Sequence, residues 1–340
     1  MELGKLILDG SYHVFDRFLS ISQIKKQYKA SQATVVQALD HLEANGLIFR
    51  KSRNGIFVSP TSRTRQILIV SNGTRANSSE LNQFSYGLGE SHHASQAGWV
   101  TINCTAEEFE QNLPNLRIIY KRLYAIVFFR YPDTLLRHHR TLNDMNIFHL
   151  FYGSSSHNDI LGDCYRFCYN EKMLVTKALD ILYAKGHRKI ACLSCRGTAF
   201  EERTNCYINW MKEKNLPVNE NLIFVSNVVD SYEFMLKRLK SARPDCTAFF
   251  CSSNFGLGSG LLQALRTLGF RVPEETGIIG IANIETARLL HPSLATVDID
   301  YEKDANTLID LLSEVRIGPM PEQKLNLGES SFIYIKGDSL

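Results

Sequence analysis

From residue 66 onward the chain alternates short apolar runs with longer helical stretches, and that alternation constrains the fold more than any single motif. Strand candidates are 66–70, 99–103, 124–129, 147–152, 189–194, 222–226, 247–251, 277–282 and 296–299, most of them rich in Val, Ile, Phe or Tyr. Helix candidates fall between most of them: 79–97, 106–123, 133–143, 171–185, 200–214, 231–242, 255–268 and 302–315. Strands buried on both faces and separated by helices predict parallel α/β sheets. So many strands overfill one comfortable sheet, which predicts two lobes. The tail, 324–327 and 332–335 about Gly328, reads as a small extended pair.

The first sixty residues have a different texture. Leu3–Asp9 reads as the end of an apolar helix broken at Gly10, and Ile21, Ile24 and Tyr28 space a second helix ahead of a turn at Lys29-Ala30. Ser31 is an N-cap for a third, in which Val35, Ala38, Leu39 and Leu42 fall at i, i+3, i+4 and i+7. Gln32, Gln37, Asp40 and His41 lie on its other face, and Gly46 supplies a left-handed stop. A hairpin follows: Leu47–Arg50, a tip of Lys51-Ser52-Arg53-Asn54-Gly55, then Ile56–Val58, with Asn54-Gly55 tolerating the positive φ of a tight turn. A short helix with polar side chains at its start, beside a ribbon tipped with cations, suits a DNA major groove and the phosphates flanking it.

Charge distribution points the same way. Up to Arg65 there are ten lysines and arginines against five acids, a net +5, so the rest of the chain carries −2 of the overall +3. A small basic module on a near-neutral body suits a nucleic-acid reader with a second function. No apolar run reaches membrane-spanning length and the start has no signal-peptide pattern, so no membrane partner is expected. Most of the eight cysteines sit in apolar, strand-like runs such as Ala191-Cys192 and Phe250-Cys251, as reduced thiols do. A reducing, cytoplasmic compartment is the expectation.

YKASQATVVQALDHLEANGLIFRKSRNGIFV resembles the winged helix-turn-helix of the GntR family of bacterial transcription regulators. The likeness lies in the small-x-x-Thr-Val entry, the mid-helix Ala-Leu, the Leu-x-x-x-Gly-Leu-Ile exit and the basic wing ending Gly-x-Phe-Val. It departs where the family usually carries arginines, at Gln32 and Val36. The resemblance implies double-stranded operator DNA as partner. It and the chemistry above give a DNA-binding set of Lys25, Lys26, Ser31, Gln32, Thr34, Gln37, Arg50, Lys51, Arg53, Asn54 and Gly55.

Further along, Gly186-His187-Arg188-Lys189-Ile190, Gly269-Phe270-Arg271-Val272-Pro273, Ile279-Gly280 and Leu294-Ala295-Thr296-Val297 occur in an order similar to the effector domain of the LacI/GalR repressors. This likeness is strong over 171–312 and weak over 66–168. It implies two Rossmann-like, periplasmic-binding-protein-like lobes joined by three crossings, near 165–170, 293–296 and 316–320, with a small-molecule effector between them and a homodimer along them. The expected organisation is a winged helix-turn-helix over 1–59, a linker over 60–65, and a two-lobed effector domain over 66–340. Lobe one would comprise 66–168 and 296–317, and lobe two 169–295 and 318–340. Carried over position by position, the ligand set is Asn72, Phe84, Tyr169, Asn170, Arg203, Asn254, Asn283 and Asp300. Arg203 matches the family's effector clamp, whereas Tyr169, Asn254, Ala282 and Ile299 replace polar partners that a sugar would need. The reading leaves open a sugar-like metabolite, a more apolar or anionic ligand, or no small ligand.

Enzyme readings find less support. Gly186-His187-Arg188 reads as a helix stop leading into a strand, with no convergent second group. Cys192-x-x-Cys195 is a lone pair inside a strand, without the second pair that a metal site wants. In Gly256-x-Gly258-x-Gly260 the third glycine comes one residue too early for a dinucleotide loop, and Gly258 reads as a close-packing residue. No catalytic group, metal or cofactor is expected. The chain reads as a dimeric, ligand-responsive repressor, the alternatives being a regulator with a degenerate cleft or a nucleotide-dependent α/β enzyme.

Overall fold

The computed structural model describes residues 2–8, 11–13, 15–44, 46–51, 54–59, 65–72, 79–90, 99–120, 122–282, 284–314 and 325–340. The N-terminal module has helices α1 (Glu2–Leu8), α2 (Ile21–Tyr28) and α3 (Gln32–Ala44), then strands β1 (Ile48–Lys51) and β2 (Gly55–Val58). Ser20 caps α2 in a reciprocal box with Gln23, and Lys29 ends it at φ 50°. Val35, Leu39 and Leu42 of α3 are buried with Ile7, Phe18, Ile24, Ile48 and Val58, as the apolar spacing predicts. Removing a fully buried leucine such as Leu39 from so small a core costs about 2–5 kcal/mol.

Two six-stranded sheets follow. The first has the order β13-β7-β6-β5-β3-β4, built from β3 (Arg65–Ser71), β4 (Trp99–Thr105), β5 (Leu123–Phe129), β6 (Phe148–Ser154), β7 (Tyr165–Tyr169) and β13 (Asn326–Glu329), all parallel. The second has the order β14-β12-β11-β10-β8-β9, from β8 (Ile190–Cys195), β9 (Ile223–Ser226), β10 (Ala248–Cys251), β11 (Gly277–Ile281), β12 (Ala295–Ile299) and the antiparallel edge strand β14 (Phe332–Ile335).

Alternation along β3 explains the layering. Ile67 and Ile69 enter a core shared with α4 (Ser79–Glu90) and the late helix Tyr301–Glu314, while Leu68 and Val70 enter one shared with α5 (Ala106–Asn112) and α6 (Pro132–Asp144). In the second sheet Ile190 and Cys192 face α7 (Glu171–Ala184) and α8 (Thr198–Glu213). Ala191 and Leu193 face α9 (Ser231–Ser241) and α10 (Ser259–Thr267). Both lobes are thus three-layer α/β units, the arrangement that continuous apolar strands require.

Several expectations change. The chain crosses between sheets at Asn170, but the second crossing follows Ile299 rather than lying near 293–296. Thr296 and Val297 pair with β11 on one side and β14 on the other, which keeps β12 in lobe two. The third crossing falls at Ser330-Ser331, not at 316–320, since β13 adds to β7 in lobe one. The two tail segments therefore do not pair with each other; each closes a different sheet. Strand β7 is not among the strands expected from apolar runs, since Arg166 interrupts its own. The expected linker 60–65 lies outside the described residues apart from Arg65, which begins β3. No helix is long and apolar enough to cross a membrane among the described residues.

Candidate nucleic-acid interface and inter-lobe cleft

The start of α3 has the geometry its sequence demands. Ser31 Oγ accepts the Thr34 amide at 3.2 Å and lies 2.9 Å from Thr34 Oγ1, so the cap is formed and the Thr34 hydroxyl is drawn toward it. Gln32, Thr34 and Gln37 are exposed. Gln32 also borders an open groove of about 1310 Å³, lined by Arg17, Ser20, Ser22, Gln23, Lys25, Lys26 and Gly55 among others. The groove gathers α2, the start of α3 and the tip end of the wing's second strand on one surface.

The wing pairs Ile48 with Val58 through Lys51 with Gly55, and Asn54 donates to the Lys51 carbonyl at 2.9 Å. Gly55 has φ 111°, a value that the turn requires and that a side chain rarely adopts. Lys51 is exposed; Arg53 lies outside the described residues. Arg50, expected at a phosphate, is engaged within the module. Its guanidinium meets Asp40 at 2.7 Å and Glu43 at 3.4 Å, and its amide donates to Glu43 at 3.0 Å. A phosphate would have to compete with two carboxylates for it. Arg50 instead ties the wing to α3. Arg17 was missed: it is exposed, its backbone bridges Phe57, and its guanidinium lies against Gly55. It sits in the loop before α2, where no motif marks it.

The module also touches lobe one: the Arg122 guanidinium, just before β5, donates to the Gly46 carbonyl at the end of α3.

At the C-terminal ends of the first sheet's strands, Arg130 follows β5 and is half-buried. It donates to Glu80 at 2.5 Å and to the Tyr301 hydroxyl at 2.6 Å, with the Tyr169 ring 5.1 Å away. Burial, the largest single influence, would lower the guanidinium's pKa; Glu80 together with Tyr169, Tyr301 and Tyr152 outweighs it and raises the value. In lobe two, Arg203 on α8 donates from Nε and Nη2 to the buried Glu171 carboxylate at 2.8 and 3.1 Å, and from Nη1 to the Ser252 carbonyl at 2.6 Å. Here too burial works against the charge and Glu171 prevails. Asp298, at the end of β12, is 1% exposed; burial first, then the Glu80 charge, push its carboxyl up to about 7.

The remaining ligand candidates are largely engaged within the fold. Phe84 is fully buried, stacked 4.2 Å from the Tyr152 ring centroid, so it is a core residue rather than a cleft wall. Asn170 caps α7 by accepting from Met173, and Asp300 caps the helix Tyr301–Glu314 by accepting from Lys303. Asn254 is buried and donates to Thr296 and to the Ala282 carbonyl. Gly258 and Gly280 leave it room: a Cβ on Gly280 would lie 2.1 Å from Asn254 Oδ1. Gly258 is thus the close-packing residue expected. Tyr169 is nearly buried against Arg130, Asn72 is exposed just beyond β3, and Asn283 lies outside the described residues. Arg130 Nε, Ser252 Oγ, Asn254 Oδ1 and Asp298 Oδ2 are buried without a hydrogen-bond partner among the described residues.

A three-helix module with a two-stranded wing, followed by two parallel α/β lobes between which the chain passes three times, defines a winged helix-turn-helix carried on a periplasmic-binding-protein-like body. Residues 2–58 match the gntR family of bacterial regulatory proteins, and residues 179–330 match the periplasmic binding protein-like domain. The chain combines these two domains. The HTH-type transcriptional repressor PurR of Vibrio vulnificus is 33% identical over 140 residues, 40% of this chain and 42% of the repressor. That of Vibrio atlanticus is 31% identical over the same share of each. The chain thus aligns with less than half the length of these curated relatives. Among solved structures, the Escherichia coli transcriptional repressor ascG superposes with a TM-score of 0.62 at 20% identity, covering 82% of this chain and 99% of its own. A transcriptional regulator CelR–cellobiose complex has a TM-score of 0.62 at 18% identity, covering 95% and 100%. These likenesses establish the fold.

Proposed function

We propose that this chain is a bacterial DNA-binding transcription regulator of the repressor type, binding a two-fold symmetric operator as a homodimer and sensing a small molecule between its lobes. The observation that carries the reading is the groove uniting Arg17, Lys25, Lys26, Gln32 and Gly55 on a gntR-family module. Gln32 and Gln37 would face base edges, amides being suited to paired bonds with adenine. Lys25, Lys26, Lys51 and Arg17 would meet phosphates, and Arg50 would hold the wing in register. The reading is of a non-enzyme acting in the cytoplasm, where its eight free thiols stay reduced.

The cleft reading draws support from the repressor relatives and from the orphan atoms of Arg130, Asp298 and Ser252, which a polar ligand or bound water would satisfy. A second reading, a regulator with no small-molecule effector, is favoured by one observation: the Arg203 clamp position is already engaged by Glu171 and Ser252. Selection from a random duplex pool tests the DNA-binding reading. Enrichment of a palindrome by the full chain supports it; a pool left unenriched contradicts it. Thermal shifts over a metabolite set then separate the two cleft readings.

A further inference from the structure

All strands of the first sheet run parallel, so residues just before them share one end, opposite the cleft. Arg122, Ile147 and Cys164 lie there, and so does a cluster drawn from distant parts of the chain. His139 on α6 and Asp163 and Cys164 in the turn before β7 each place one donor atom within 4.8 Å of the others. Cys164 is buried, His139 half-buried and Asp163 exposed.

Hydrogen-bond direction fixes how His139 is presented. His149, 2% exposed and in no ion pair among the described residues, has Nδ1 2.7 Å from the Ile147 carbonyl oxygen. A carbonyl only accepts, so that nitrogen carries the proton and Nε2 of the neutral ring is an acceptor. His139 Nδ1, 2.8 Å from it, must therefore donate. In a neutral His139 this leaves Nε2 as a lone pair, 3.3 Å from Asp163 Oδ1 and 3.1 Å from the Asn143 amide nitrogen. A lone pair and a carboxylate oxygen at this separation repel unless a proton or a metal ion lies between them.

We propose that His139, Asp163 and Cys164 form a binding site for a divalent transition metal of the zinc class. Nitrogen, carboxylate and thiolate donors are the set that zinc takes. A tetrahedral zinc with bonds of roughly 2.0–2.3 Å holds its donors roughly 3.3–3.8 Å apart; the His139–Asp163 pair stands at 3.3 Å, and the cysteine sulfur lies within 4.8 Å of both. The thiol releases its proton to solvent as its sulfur binds the metal. His149 is a positioning residue: it accepts from His139 and turns the other ring nitrogen, Nε2, toward the site, as outer partners of metal-bound histidines do; a metal there would displace the Asn143 contact. The occupied site would join α6 to the β7 turn at the end of the lobe where Arg122 meets the winged module.

The test is titration of the full, reduced, chelator-treated chain with Co²⁺, read by absorption and displaced with Zn²⁺. The expected result is one equivalent bound with a thiolate-to-cobalt charge-transfer band. Cys164→Ser abolishes the band, and Asp163→Asn, at an exposed position that leaves the core untouched, weakens binding by roughly tenfold or more. His149→Gln weakens it to a similar extent. The proposal is overturned if Co²⁺ does not saturate, or if Asp163→Asn and Cys164→Ser bind with unchanged affinity and spectrum. It is equally overturned if His139 proves to be a metal-free imidazolium paired with Asp163.

Discussion

Arg203 and Glu171 face each other as a two-bond pair, 2.8 and 3.1 Å, with both side chains removed from water. The arginine that family likeness assigns to an effector is thus neutralised by an acid 32 residues earlier, on the first turn of α7. Whatever enters the cleft meets a closed ion pair rather than a free cation.

Breaking this pair should be far more damaging than removing it whole. Glu171→Gln or Arg203→Ala leaves one uncompensated buried charge, and each is expected to cost about 3–5 kcal/mol. The double change Glu171→Leu with Arg203→Met should cost clearly less than the two single changes together. Denaturant unfolding of the four proteins checks this.

Stability should fall as pH rises from about 4 to about 7. Asp298, and to a lesser degree Asp304, have carboxyls pushed up to about 7 and about 6, burial being the first cause of each. Between the ordinary carboxylate value and the raised one the folded chain holds more protons than the unfolded chain, so raising pH favours unfolding. The Asp298 contribution is on the order of 4 kcal/mol, fully present below the unfolded value and lost by about pH 7. Asp298→Asn should flatten that slope in melting curves taken across the window.

Arg50 and Lys51 are neighbours with different expected signatures. Arg50→Ala removes a surface ion pair worth at most about 1 kcal/mol of stability. It should weaken DNA binding by loosening the wing, with the salt dependence unchanged. Lys51→Ala should lower the slope of log affinity against log salt by about 1. Titrations at several salt concentrations distinguish the two.

Asn170 is placed to cap a helix. Asn170→Ala should cost about 1 kcal/mol with no ligand present, and Asn170→Ser should restore most of it, since serine caps nearly as well. A side chain whose only role was a ligand contact would show neither effect on the melting of the free protein.

Local patterns carried much of this structure. Ser31, the apolar stripe of α3 and the Asn54-Gly55 turn specify the winged module because helix caps, amphipathic spacing and positive φ are short-range effects. The layering of both lobes follows from β3-like runs that are apolar on both faces. Partnerships between distant segments were illegible. Gly328 looked like a turn between two tail strands, yet those strands finish different sheets, and only the sheet edges awaiting a partner decide that. Likewise nothing near Arg203 marks Glu171 as its counter-ion, nothing near Arg50 marks Asp40, and His139 and Cys164 meet only when α6 lies across the start of β7. Asn170 and Asp300 are polar at the right places in the order of motifs, but each caps a helix; Asn254 braces Thr296 and the Ala282 carbonyl through its amide nitrogen, and its buried Oδ1 has no partner among the described residues.

The most direct measurement is the affinity of the full chain for duplex DNA from its own upstream region, followed against salt beside a Lys25→Ala/Lys26→Ala/Lys51→Ala variant. The account predicts a steep loss of affinity with salt, and a slope shallower by roughly 3 in the variant, because each lysine releases about one counterion on meeting a phosphate. Equal slopes for the two proteins, or no binding at low salt, would contradict the assignment of this surface to DNA.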